Sequence, residues 1–136
     1  MVEGYLKAEL RRHGFLYAAL NGYMVLTAGF GSKRWKMALA CGDGCLSCYA
    51  AYPWQVPRWR REKLLEQLNS LNASACFGSC FLLDSEQGGM IVFRCDVIIA
   101  DEYSIAECLE KGFKHTTIAI CARWNMLKAF QFNKSG

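Results

Sequence analysis

The sequence predicts an α+β fold: one antiparallel sheet with helices on a single face. Three observations point there. Short apolar runs with alternating patterning are joined by tight turn signals such as Asn21-Gly22 and Gly42-Asp43-Gly44. Such short connections suit antiparallel strands, whereas parallel pairs need long crossovers. Segments with helical periodicity stand at the start, middle and end of the chain. The composition, 53% hydrophobic and 21% charged with two prolines, excludes a disordered chain, a collagen-like repeat and a linker-rich array. The 136 residues suit a single domain over 1–136, large enough to fold without a metal or disulfide.

Val2, Tyr5, Leu6 and Leu10 recur at helical spacing, with Glu3, Lys7, Glu9, Arg11 and Arg12 facing away, and Gly14 ends this first helix. The stretch from His13 to Ser32 lacks acids, lysine and arginine and could mimic a membrane span. Asn21-Gly22 in its middle instead makes it a hairpin of Phe15–Leu20 and Tyr23–Thr27. After a polar turn at Gly31-Ser32-Lys33-Arg34, Trp35, Met37, Leu39 and Cys41 alternate with Lys36, Ala38 and Ala40, the period of a strand. Cys45–Tyr52 follows as a fourth strand, completing an antiparallel meander of three or four.

Pro53-Trp54-Gln55-Val56-Pro57 is expected to stop the sheet. Pro57 suits the first turn of a helix, whose apolar stripe is Trp59, Leu64, Leu65, Leu68 and Leu71. Arg58 lies four residues before Glu62, a spacing for modest surface pairing, and the helix should end near Asn69–Asn72. Cys80–Leu83 and Met90–Val97 form a β-hairpin across Asp84–Gly89, with Ile91, Phe93, Cys95 and Val97 on one face and Arg94 and Asp96 on the other. Ser104 and Glu107 read as a capping box opening the C-terminal helix. Leu109, Phe113, Ile120, Trp124 and Leu127 continue it, with a break expected around Gly112 and Thr116-Thr117-Ile118. The order is helix, meander, helix, hairpin, helix.

The N-terminal residues lack a basic region followed by an apolar core, so a cytoplasmic protein is expected, with reduced thiols. The net charge of +4 is too mild for a general nucleic-acid footprint. It concentrates at Arg58, Arg60, Arg61 and Lys63, with Trp54 and Trp59 interleaved, the residue types of a weak nucleic-acid adaptor. Glu62 and Glu66 dilute that patch, so a solvated helix face is the simpler expectation. His13 and His115 have no nucleophile at a catalytic spacing, and no hydrolase, zinc-protease, Walker or dinucleotide motif is present.

The eight cysteines are about 6% of the chain, under the roughly 8–10% of disulfide scaffolds. Cys41, Cys45 and Cys48 carry a radical iron–sulfur spacing, but the chain is too short for the barrel such chemistry needs. Cys45, Cys48, Cys76 and Cys80 could supply four zinc ligands, yet strand geometry sends residues three apart to opposite faces. A Cys45–Cys48 dithiol lacks the helix start that activates such pairs. A Cys41–Cys45 disulfide across the Gly42–Gly44 turn is sterically easier. Core packing is the favoured role, because free cysteine is among the most buried residues.

Leu64-Leu65-Glu66-Gln67-Leu68-Asn69-Ser70-Leu71-Asn72, Phe77-Gly78, Phe81, Leu83-Asp84, Gly88-Gly89 and Ile91-Val92-Phe93-Arg94 follow one another in the helix–hairpin region. With the strands at Trp35–Leu39 and through Tyr49, Tyr52 and Pro53, this resembles the YbjN-like family of bacterial sensory-transduction regulators. The resemblance implies a type III secretion chaperone-like fold, whose members commonly dimerise and bind other polypeptides, and it does not imply an enzyme. The cysteines at 41, 45, 48, 76 and 80 are outside that pattern. The expected function is thus a non-catalytic protein-binding module, a regulator or chaperone-like adaptor. It would be homodimeric and bind another polypeptide, with no cofactor and no membrane. Tyr49, Tyr52, Trp54, Trp59, Arg58 and Arg61 are the candidate interface residues, since Trp, Tyr and Arg dominate interface anchors. The competing class is a thiol- or metal-dependent protein built on Cys41, Cys45 and Cys48.

Overall fold

The computed structural model describes residues 2–75, 78–85, 88–101 and 104–131. Helix α1 (Val2–Arg12) leads into strands β1 (Ala18–Leu20), β2 (Tyr23–Phe30), β3 (Lys33–Gly42) and β4 (Cys45–Val56). A 3₁₀ turn (Arg58–Arg60) precedes α2 (Arg61–Ala73); then come β5 (Ser79–Ser85), β6 (Gly88–Ile98), α3 (Ile105–Ala122) and α4 (Trp124–Lys128). All six strands pair antiparallel in the order β1-β2-β3-β4-β6-β5. The expected α+β architecture, meander and hairpin are present.

Local chemistry sets the turns. Asn21 and Gly22 sit at φ 51° and 85°, and Asp43 and Gly44 at 52° and 74°, so both hairpins use two consecutive positive-φ positions. Such turns match the twist of the strands they join. Gly14, at φ 78°, lets the Phe15 amide donate to the Leu10 carbonyl at 2.9 Å, closing α1 with a Schellman bond.

Several elements differ from expectation. Phe15, Leu16 and Tyr17 stay outside the sheet, and only Ala18–Leu20 pairs with β2. The proline pair does not stop β4, which runs on to Val56 through a register shift between Ala51 and Gln55. Pro53 falls in that irregularity, where a missing N–H removes no ladder bond. Ser104 forms no capping box: its hydroxyl donates to the Asp101 carbonyl at 2.8 Å instead. Helix α3 is unbroken at Gly112 and Thr116; the chain bends later, at Arg123, before α4.

The core lies between the sheet and the helices. Leu6 and Leu10 of α1, Leu64 and Leu68 of α2, and Leu109 and Ile120 of α3 are buried over Met24, Trp35, Leu39, Leu46 and Phe93. Phe15 stacks on Phe113 with ring centroids 4.8 Å apart. Tyr52, Trp54 and Trp124 pack together, and the buried Tyr52 hydroxyl donates to the Ile120 carbonyl at 3.0 Å. That carbonyl belongs to the last turn of α3, where the helix itself supplies few donors.

Candidate functional site

The strand alternation that fills the core also dictates the other face. Residues one step out of phase with Met24, Met37, Cys48 and Phe93 point away from the helices. In register these are Val25, Ala38 and Tyr49 in one row, and Lys36, Ala51, Val92 and Phe81 in the next. A solvated sheet face would carry polar residues at such positions. Here they are mostly apolar, and small in the middle. The result is a shallow trough of about 410 Å³ with contributions from all six strands. Val25, Ala38, Ala51 and Val92 form its floor. Leu20 and Tyr23 rise at one end, Phe81 and Leu83 at the other, and Tyr49 along the side.

The electrostatics of this face are sparse. Lys36 is the charged residue lining the trough, its ammonium donating to Thr27 Oγ1 at 3.0 Å. Arg94 lies beside it, stacked over Tyr49 at 5.1 Å from the ring centroid and paired with Asp96 at 3.4 Å. Tyr23 meets Tyr49 edge-on at 5.9 Å. The aromatic wall is thus held in place by ring and cation contacts.

The interface candidates separate into three environments. Tyr49 belongs to the trough. Tyr52 is only 1% exposed on the helix side, and the half-buried Trp54 packs against it, so β4 alternation removes Tyr52 from any surface. Trp59 is not part of the apolar stripe of α2: it sits in the 3₁₀ turn, 75% exposed, with the Arg60 guanidinium 4.7 Å over its ring. Arg58 is exposed on the same turn. Arg61 reaches across to β5 and donates to both carboxylate oxygens of Asp84, the closest contact being 2.9 Å. That hydrogen bond holds the Asp84 carboxyl below its ordinary value. The basic run is therefore divided: Arg61 is tied to Asp84, and Arg60 donates to the Ala129 carbonyl.

A second link joins α2 to β5. The Asn72 side-chain amide donates to the Cys80 carbonyl and accepts from the Cys80 amide, both at 2.8 Å. It acts as a one-residue strand neighbour and closes part of the β5 edge, where unpaired backbone groups would invite another strand. Asn72 is in the stretch that carries the family resemblance, so its role there is to hold a helix on a sheet edge.

The cysteines do not assemble as their spacing suggests. Cys41 faces the helices and opposes Leu46, whereas Cys45 opposes Gly42 and faces outward. The Cys41–Cys45 disulfide, the sterically easier of the alternatives to core packing, is excluded by that parity. Cys45 and Cys48 likewise point to opposite faces, which separates the proposed dithiol and the zinc pair. Cys76 lies outside the described residues. Among the described residues no three His, Cys, Asp or Glu side chains gather to hold a metal. Cys48, Cys80, Cys95 and Cys108 are buried, in keeping with core packing.

One cysteine pair that spacing could not reveal is present. Cys48 on β4 and Cys95 on β6 stand directly opposite on the helix side. The adjacency of the two thiols pushes Cys48 up and draws Cys95 down, with burial adding to the first shift and opposing the second. Thr116 Oγ1 is 3.6 Å from the Cys95 sulfur. A Cβ at Gly112 would lie 2.6 Å from the Cys48 sulfur, so the glycine is what lets α3 approach the pair. Cys108 donates to the Ile98 carbonyl at 3.4 Å nearby.

No helix among the described residues is long and apolar enough to cross a membrane. No protein-family model matches the sequence, and no curated protein matches it. Among solved structures, the chain is similar to YbjN of E. coli, described as a proposed transcription regulator. The two share 14% sequence identity and superpose with a TM-score of 0.69, covering 93% of this chain and 96% of that one. At that identity the likeness speaks for architecture, and it agrees with the resemblance read from Leu64–Arg94: the chain has the YbjN fold.

Proposed function

We propose that this chain is a non-catalytic protein-binding module, a regulator or adaptor, whose trough receives an apolar segment of a second polypeptide. The observation that carries the reading is the uncovered apolar sheet face with a floor of small side chains. Its shape favours a convex occupant. An isologous dimer needs a self-complementary patch, and a concave surface does not fill itself. Five interstrand spacings of about 4.8 Å give a width across the strands of roughly 24 Å, the length of an α-helix of about 16 residues. A helix with an apolar stripe, carrying an acid to meet Lys36, fits this face.

The homodimer that the resemblance implies is assigned to a different surface, the Trp59 turn with Arg58, where an aromatic and an arginine stand exposed together. The two surfaces can be tested separately. Sedimentation should give a dimer near twice 15.3 kDa, and Trp59→Asp should make it a monomer. Ala51→Asp should leave the dimer and the circular dichroism spectrum intact while abolishing capture of the partner that the unaltered chain retains. A partner that binds Ala51→Asp as well as the parent chain would place recognition elsewhere. A chain that is monomeric before any substitution would remove the dimer. Among the described residues the thiol-dependent alternative is left with the Cys48–Cys95 pair, and a nucleic-acid role would require salt-sensitive retention on heparin that Arg58→Ala weakens.

A further inference from the structure

We propose that Cys48 and Cys95 are a site of reversible oxidation, forming a disulfide between β4 and β6 beneath α3. The two residues are register partners on the same face. Directly opposed residues in antiparallel strands have Cα atoms about 4.5 or 5.5 Å apart, inside the 4.4–6.8 Å that a disulfide spans. Their Cβ atoms, at about 4.5–5.5 Å, lie somewhat beyond the relaxed mean of about 3.8 Å, so the bond draws the strands together and is readily reduced. Both side chains are buried on the helix side of the sheet, beneath Gly112 and Thr116 of α3. Alternative pairs are less well placed. Cys41 opposes Leu46, and the Cys108 thiol is engaged with the Ile98 carbonyl.

The chemistry needs a small oxidant, since the two residues are 0% and 4% exposed. Hydrogen peroxide suits the site. The Cys95 thiolate attacks one peroxide oxygen, breaking the O–O bond and releasing hydroxide, and becomes a sulfenic acid. The Cys48 sulfur then attacks the Cys95 sulfur, forming S–S and breaking S–O. The Cys48 proton and the departing hydroxyl leave as water. Two thiols are oxidised and one peroxide is reduced to two waters.

The test uses the full chain in two arms. In the first, the folded, reduced protein is exposed to hydrogen peroxide, alkylated, and digested without reduction. In the second, the reduced protein is unfolded and refolded in a glutathione redox buffer, where access is not limiting. Mass spectrometry should find one cross-linked peptide pair in both, Cys48 with Cys95, with six of the eight thiols still alkylated. Dithiothreitol should restore all eight, and Cys48→Ser should abolish the cross-link and leave Cys95 over-oxidised. Scattered pairing, Cys41–Cys108 as the dominant bond, or a Cys48–Cys95 bond in the refolding arm alone would overturn the proposal.

Discussion

Replacing Gly112 by alanine should change the sign of its effect according to what occupies position 48. The added Cβ would lie 2.6 Å from the Cys48 sulfur, while Leu46 Cδ2 at 3.8 Å and Val97 Cγ2 at 4.0 Å leave ordinary contact distance. In a helix interior, glycine to alanine gains about 0.8–1.0 kcal/mol from backbone preference. Overpacking of a tight core contact costs about 1–3 kcal/mol. The balance makes Gly112→Ala destabilising by up to about 2 kcal/mol in the parent chain. With Cys48→Ala in place the clash is gone, and the same change should stabilise by about 1 kcal/mol. The cycle of the two substitutions should therefore show a coupling of about 1–3 kcal/mol. Urea unfolding under reducing conditions, followed by far-ultraviolet circular dichroism, measures all four species. Equal stabilisation by Gly112→Ala in both backgrounds would refute the close approach of α3 to β4.

Asn72→Ala removes both hydrogen bonds to the Cys80 backbone and should cost about 1–2 kcal/mol, with a greater tendency to associate through the reopened β5 edge. Urea unfolding and light scattering check the two effects. The Arg61–Asp84 pair gives a pH dependence of defined sign: Asp84 has its folded pKa lowered from 3.8, so the pair's contribution is complete above that value and is lost as pH falls through the folded pKa. The stability difference between the parent chain and Asp84→Asn should thus shrink on acidification below pH 3.8 and also shrink with added salt. An unchanged difference in acid would show that the pair contributes nothing.

Local patterning made much of the fold legible. The alternation of Trp35, Met37, Leu39 and Cys41 gave the buried face of β3, and Asn21-Gly22 with Asp43-Gly44 gave the hairpins, because each signal lies within a few residues. Features that depend on partners far along the chain were not legible. Pro53 reads as a strand end, yet β6 continues to support β4 beyond it through a register shift. Gly112 reads as a helix breaker, yet it is the contact residue of α3 against Cys48. Cys48 and Cys95 are far apart in sequence and meet only because β6 inserts between β4 and β5. The trough left one local trace: Ala38, Tyr49 and Ala51 occupy outward positions where a solvated strand would carry polar side chains. Trp59 reads as the first apolar residue of the helix that carries Leu64 and Leu68, but the chain enters α2 through a 3₁₀ turn, and Trp59 on that turn stands exposed.

The central claim is that the open sheet face holds another polypeptide, and site-specific photo-crosslinking addresses it most directly. A photoreactive phenylalanine analogue at Phe81, a wall position 37% exposed, keeps the shape of the side chain it replaces. In cells, this chain should form a cross-link to one defined polypeptide other than itself. Ala51→Asp should abolish it, and the analogue placed at the exposed Lys114 on α3 should give none. Cross-links only between copies of this chain, or the same products from positions 81 and 114, would contradict the account.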